Sequence, residues 1–197
     1  MTTASRRTPA RERLLATASD LFYDHGIRAV GIDRILEESH VAKATLYAHF
    51  PSKDALIEAY LRHHLDRVRD HLADLTRAHV GSPRAITALF EEAADMASTG
   101  NYLGCRFAGA TSEHLSEESH AVEIADEYRN IVLEFFQNHV CGASVLDRRR
   151  ASEVLLALYE GAKVTAGTTG RVAIERLIPT VRVIAENGVD EISGARD

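Results

Sequence analysis

Residues 41–56 read Val41-Ala42-Lys43-Ala44-Thr45-Leu46-Tyr47-Ala48-His49-Phe50-Pro51-Ser52-Lys53-Asp54-Ala55-Leu56. The Pro51 ring forces Phe50 out of the helical region, so a helix starting near Lys43 stops at His49. Ser52 then stands as an N-cap with Asp54 in the first turn, and opens a long helix, about Lys53–His79. Upstream, the break His40-Val41-Ala42 separates Lys43–His49 from another short helix, Ile32–Ser39. Helices of about eight residues do not stand alone in water. Ile32, Ile35 and Leu36 on one, and Leu46 and Phe50 on the other, offer apolar faces. Both can close on Leu14, Leu15, Ala18, Leu21 and Phe22 of a preceding helix, which starts with Thr8 as N-cap and Pro9 in the first turn and ends at Gly26. Such a three-helix unit holds its second short helix at a steep angle, as a helix-turn-helix does. Periodicity alone equally admits a packing motif with its polar residues facing water.

The rest of the chain keeps the helical period, and strand-like alternation is nearly absent, so the fold is expected to be all-α. In the long helix Leu61, Leu65, Val68, Leu72 and Leu75 alternate four and three apart, a narrow seam suited to bridging two domains. The boundary is placed near Tyr60–Leu65, giving domains 1–60 and 61–197. Later helices are expected at about Arg84–Ser98, Arg106–Leu115, Ser119–Val140, Asp147–Ala166 and Val172–Asn187, about nine helices in total. Pro179 is expected to kink the last one.

The 197 residues are 45% hydrophobic and 26% charged, a composition that builds a core and excludes disorder. No apolar run approaches a membrane span, and MTTASRRTPARER has no apolar stretch behind its arginines, so neither a membrane segment nor a secretory signal is expected. Cys105 and Cys141 form no metal or disulfide framework, which points to a reducing, cytoplasmic compartment. Net charge is −6, unevenly placed: residues 1–62 carry 9 Lys+Arg against 8 Asp+Glu, and residues 63–197 carry 14 against 21. Any nucleic-acid surface therefore belongs to the N-terminal end.

The segment Arg11–Leu61 resembles the DNA-binding domain of the TetR family of transcriptional regulators. The resemblance is carried by Ala18, Leu21-Phe22, Gly26, Ala29, Gly31-Ile32-Asp33, Ile35 and above all the run Val41–Leu56. It covers about a quarter of the chain. It implies that Lys43, Thr45, Tyr47 and His49 face double-stranded DNA, that Lys53 and the backbone at Gly31 touch phosphates, and that Ala44 allows close approach. Two positions depart from the family pattern. His40 stands where the turn has glycine, and Val30-Gly31 replaces a hydroxyl residue at the helix start.

For the remaining two-thirds the resemblance implies a helical bundle that forms a homodimer through the last two long helices. Val154, Leu155, Leu158, Ala162 and Ala166, with Gly161 for close approach, and Val172, Leu177, Ile178, Val181 and Ile184 are the candidate faces; the same residues could instead complete the protomer's own core. Two reading heads must be held about 34 Å apart, which favours the dimer. A pocket for an unknown small-molecule effector is expected between helices, with candidate lining residues Phe90, Met96, Cys105, Phe107, His114, Tyr128, Phe135 and Tyr159. A buried inert thiol is the plainer reading of Cys105. No cofactor or metal is expected: His63 and His64 face different ways, and His64 and His71 are too far apart for one ion. No phosphate loop, nucleophile elbow or paired metal motif suggests an enzyme. The Glu113-His114 and Glu117-Glu118 cluster reads as a solvated turn. A protein-binding module without DNA is the remaining alternative.

Overall fold

The computed structural model describes residues 9–113, 120–142 and 144–189, which are helix and loop with no strand among them. Ten helical segments follow in order: α1 (Ala10–His25), α2 (Ile32–Ser39), α3 (Lys43–His49), α4 (Lys53–Ala78), α5 (Arg84–Ala97), α6 (Arg106–Ser112), α7 (Ala121–His139), α8 (Val145–Thr169), α9 (Val172–Glu175) and α10 (Ile178–Asn187). Counting the single turn of α9 with α10 leaves the nine expected.

The first three helices and the start of α4 share one apolar centre. Leu14, Ala18, Ile35, Leu46, Leu56 and Leu61 are fully buried, with Phe22, Phe50 and Tyr60 almost so. Burying each large side chain contributes about 1.5–3 kcal/mol, which offsets what α2 and α3 lack as isolated helices. Three local devices set the geometry. Gly26 closes α1 at φ 85°, Ser52 Oγ accepts the Ala55 N–H at 3.0 Å to start α4, and Phe50 leaves α3 in an extended conformation before Pro51.

Beyond Leu61 the seam on α4 turns to the larger bundle. Leu65, Leu72 and Leu75 are buried and Val68 packs partly against them. α4 lies on α5 and α7, α8 packs on α7, and α10 on α5. Arg62 and Arg69 of α4 both pair with Glu127 of α7.

Several boundaries differ from expectation. Pro9, not Thr8, is the N-cap of α1, and Thr8 lies outside the described residues. α6 ends at Ser112, short of Leu115. α8 begins two residues early, because Ser144 Oγ accepts the Asp147 N–H at 3.1 Å and so caps it. The last helix is not kinked at Pro179. The chain breaks before it, at Arg176-Leu177, and Pro179 occupies the first turn of α10, where its missing N–H costs nothing.

The turn between α2 and α3 is closed by His40 at φ 54°, ψ 41°, the one non-glycine residue with positive φ among those described. A side chain in the left-handed region costs roughly 1–2 kcal/mol, against the 0.5–1 that glycine loses in the unfolded chain. His40→Gly is expected to stabilise the protein by about 0.5–1 kcal/mol, read as a higher urea midpoint with unchanged slope.

Candidate nucleic-acid interface

Leu46 is the buried anchor of α3, and its neighbours project outward. Lys43, Ala44, Tyr47 and His49 are exposed and Thr45 is half-buried. Tyr47 keeps 44% of its surface in water, high for a ring of its size. Lys43 Nζ lies 3.5 Å from Asp33 Oδ1 of α2; a pair this exposed is weak and can yield to a phosphate. Gly31 caps α2 without any side-chain bond, and a Cβ there would meet nothing within 4 Å, so the backbone at the head of α2 stands open. Lys43, Ala44, Tyr47, His49 and Gly31 are thus open to solvent on the helix-turn-helix, with Thr45 partly so.

Lys53 behaves differently. Its Nζ donates to Ile27 O at 2.6 Å, inside the domain, and burial lowers its pKa, partly opposed by Glu113 and Asp54. Two of its three protons stay available to a phosphate, but its first role is to tie α4 to the loop after α1.

Sequence reasoning missed two residues that bear on this face. Arg11 places its guanidinium 5.2 Å from the centre of the Phe50 ring. With His49, Arg62 and His63, and with Glu58 and Asp66 opposite, it lines a cleft of about 400 Å³ between α1, the end of α3 and α4.

The second is Glu113. Far from being solvated, its carboxylate accepts Ile27 N–H at 2.9 Å and Arg28 N–H at 2.7 Å. It also sits 3.3 Å from where a Cβ on Gly26 would be. Glu113 at the Arg28 N–H and Lys53 at the Ile27 carbonyl therefore grip the Ile27–Arg28 peptide group from both sides. Tyr23 makes a parallel tie. Its hydroxyl accepts the Leu103 N–H at 2.8 Å and donates to Gly104 O at 3.3 Å, while the Arg106 guanidinium lies 3.5 Å from its ring centre. A sequence separation of 80 residues or more hides these contacts from any local pattern. The rest of the Glu113 cluster (His114, Glu117, Glu118) lies outside the described residues.

The effector candidates divide. Phe107 stacks on Tyr128 with centroids 4.3 Å apart, and Phe90 meets Tyr159 edge-on at 5.1 Å. Cys105 is buried among the electrostatic neighbours of Tyr128 and Tyr159. Phe135 packs instead on Phe136 and His139. Met96 is 49% exposed, because the end of α5 turns its side chain outward, so it does not join the aromatic group. His114 is not among the described residues. Lys163, absent from the expected set, reaches Tyr128 Oη at 3.1 Å. Burial pushes the Tyr102, Tyr128 and Tyr159 phenols up, against the pull of Lys163, so they are neutral hydroxyls at any physiological pH. A smaller crevice of about 80 Å³ lies at the junction of the two halves, lined by Tyr23, Gly26, Cys105, Arg106 and Glu113. Among the described residues no group of three or more His, Cys, Asp or Glu is placed to hold a metal ion, and no helix is long and apolar enough to cross a membrane.

Comparison with known proteins places this geometry in context. Residues 14–60 match the family described as bacterial regulatory proteins, tetR family. The chain is 34% identical over 85 residues to the HTH-type transcriptional activator FasR of Mycolicibacterium smegmatis, a match covering 43% of this chain and 39% of FasR. It is 26% identical over 166 residues to the HTH-type transcriptional repressor NemR of Escherichia coli, covering 79% of this chain and 83% of NemR. In three dimensions it matches a TetR-family transcriptional regulator from Streptomyces coelicolor with a TM-score of 0.73 at 29% identity, over 88% of this chain and 96% of that one.

His64, on α4 at the junction, has its Nε2 buried without a hydrogen-bond partner. Burial, then the charges of Arg106, His63 and Arg67, lower its pKa from 6.5 to about 3. The folded protein thus holds it neutral, while the unfolded chain takes up a proton near pH 6.5. Its contribution to stability is present above that pH and is lost as pH falls toward 3. The melting temperature is expected to drop between pH 7 and pH 5, and to drop less in His64→Leu. The difference between the two curves isolates this one ring.

Proposed function

The chain belongs to the TetR family of helix-turn-helix transcriptional regulators, and from that premise we propose that it acts as a homodimeric, ligand-responsive repressor on a palindromic operator. The observation that carries this reading is the outward display of Lys43, Thr45, Tyr47 and His49 from a short helix anchored by the fully buried Leu46. An ammonium, a hydroxyl with a methyl group, a phenol and an imidazole suit phosphates and base edges in a major groove. Residues 1–60 act as the reading head and 61–197 as the sensing and pairing body, with the division inside α4.

An exposed apolar stripe supports pairing with a second copy. Leu155, Ala162 and Ala166 are buried in the protomer's own core, and so are Val181 and Ile184. Val154, Ala157, Gly161 and Val164 of α8 face outward at spacings of three and four, and Val172 and Val183 are exposed near them in the chain's last helices. These residues, more than the inward set, are the pairing surface. An effector held between α6, α7 and α8 would act through α6, whose C-terminal Glu113 grips the loop leading to α2. It changes operator affinity only through its differing affinity for the two arrangements.

Fluorescence anisotropy with DNA flanking the protein's own gene, at two salt concentrations and against a scrambled duplex, tests the reading. Sequence-selective binding that weakens steeply with salt is expected. Alanine at both Lys43 and Tyr47 is expected to abolish selectivity while sedimentation still shows a folded dimer. Retained selectivity would remove α3 as the reader, and a protein-binding module would keep all its contacts without operator binding at all. Glu113→Gln loses the carboxylate that accepts two backbone N–H groups. Operator binding without effector is expected to weaken about tenfold, the equivalent of one or two lost charge-assisted hydrogen bonds. Unchanged affinity would detach this grip from DNA reading.

A further inference from the structure

Lys163 lies in the last third of α8, four residues after Tyr159, and turns its ammonium into the bundle. Nζ donates to Tyr128 Oη at 3.1 Å and lies 5.2 and 4.9 Å from the ring centres of Tyr128 and Tyr159. Among the described residues no carboxylate is paired with it; its electrostatic neighbours are phenols and the Cys105 thiol. An ammonium has three protons to donate, and aromatic faces offer only diffuse attraction for the other two. Tyr102, on the loop before α6 and also an electrostatic neighbour of Lys163, has its hydroxyl buried with no hydrogen-bond partner. Tyr128, which accepts from Lys163, keeps its own proton to give. A buried charge without a counter-charge and a buried hydroxyl without an acceptor are each unfavourable, and the same missing group would satisfy both: an anionic oxygen.

We propose that Lys163, Tyr102 and Tyr128 form the polar end of a site for a small aromatic carboxylate. The proposal rests on the reading of residues 61–197 as an effector-binding body and names the chemical class of that effector. The carboxylate accepts from the ammonium and from the two phenols, whose neutrality makes them donors. Its ring would pack against the aromatic side chains beside this polar end, Phe107, stacked on Tyr128 at 12° between planes, and Phe90, edge-on to Tyr159, which must part to admit it. A neutral analogue of the same shape leaves the ammonium unpaired and binds less well. Occupation is felt at once by α6, because Phe107 and Glu113 sit at its two ends.

Isothermal titration calorimetry of the full chain with sodium benzoate, and with benzamide at the same ionic strength, tests this directly. Benzoate is expected to bind once per protomer and at least about tenfold more tightly than benzamide. Lys163→Met, which keeps the length of the stem, is expected to abolish the preference. Tyr102→Phe removes a hydroxyl that has no partner in the free protein. Its melting temperature without ligand is therefore expected to be unchanged or higher, while its benzoate affinity falls about tenfold. Should Lys163→Met fail to fold, Tyr102→Phe carries the test. No benzoate binding, equal binding of benzoate and benzamide, or wild-type benzoate affinity in Lys163→Met or Tyr102→Phe would overturn the proposal. The calorimetry contains no DNA. A chain that binds benzoate but no operator counts against the regulator reading, and one that binds operator but no benzoate counts against this site alone.

Discussion

Everything in this molecule hangs on α4 being one uninterrupted helix. Its 26 residues span roughly 39 Å at 1.5 Å per residue. The N-terminal third closes the core of the helix-turn-helix through Leu56, Ile57 and Tyr60, and the remainder lies in the larger bundle through Leu65, Leu72 and Leu75. A rod clamped in this way cannot turn at one end without moving at the other. The Tyr60 ring marks the changeover, edge-on to Phe22 of α1 on one side and to His64 on the other. The second tie is made of hydrogen bonds, where Glu113 and Tyr23 stitch the end of α1 to α6 and the loop before it. Apolar packing along α4 is broad and tolerant of small shifts, whereas the Glu113 contacts hold only at fixed distance and angle. A displacement of α6 by an ångström therefore breaks the second tie before it disturbs the first. That difference in stiffness makes the Glu113 contacts the more sensitive of the two ties.

The helix-turn-helix was legible in the sequence because its determinants are local. Pro51 and Ser52 mark the change of helix within two residues, Gly26 ends α1, and the break His40-Val41-Ala42 separates the two short helices, while the turn position of His40, at φ 54°, is what the family resemblance implies. Failures cluster where a determinant acts across the chain or where two local signals compete. Ser144 went unread as a cap because Asp147 looked like the start of α8, when it is the third residue of a helix already begun. Pro179 suggested a kink, but the chain places it where a proline is harmless. The faces read for pairing on α8 and the last helix mix two sides, because hydrophobicity alone does not separate them: Leu155, Ala162, Ala166, Val181 and Ile184 are buried in the protomer, whereas Val154, Gly161 and Val172 are exposed.

Lys163 and His64 show the same limit in electrostatic form. Each is a polar residue on an otherwise unremarkable helix, and nothing in the neighbouring sequence announces burial. The two are resolved differently. His64 can drop its proton, so the fold holds a neutral ring whose only penalty is one unmatched nitrogen. Lys163 stands among phenols that are neutral at physiological pH, so among the described contacts its charge is met by a hydroxyl oxygen and two ring faces.

Charge also explains why the reading face is so lightly basic. The larger body carries a net −7, from 14 Lys+Arg and 21 Asp+Glu over residues 63–197, and repels a polyanion. A duplex is therefore turned toward residues 1–62, whose balance is +1, from 9 and 8, before any contact forms. Little attraction remains to hold it there without specific contacts, since non-specific affinity comes almost wholly from cations on phosphates. Lys43 is shared with Asp33, Arg34 with Glu38, and Lys53 with the Ile27 carbonyl. Each cation must be partly drawn from an internal partner as DNA docks. With α3 as the proposed reading helix, such a surface would bind weakly where only phosphates are offered and gain when Thr45, Tyr47 and His49 meet base edges. On that proposal, selectivity would follow as much from how little residues 1–62 attract DNA in general as from what α3 can recognise.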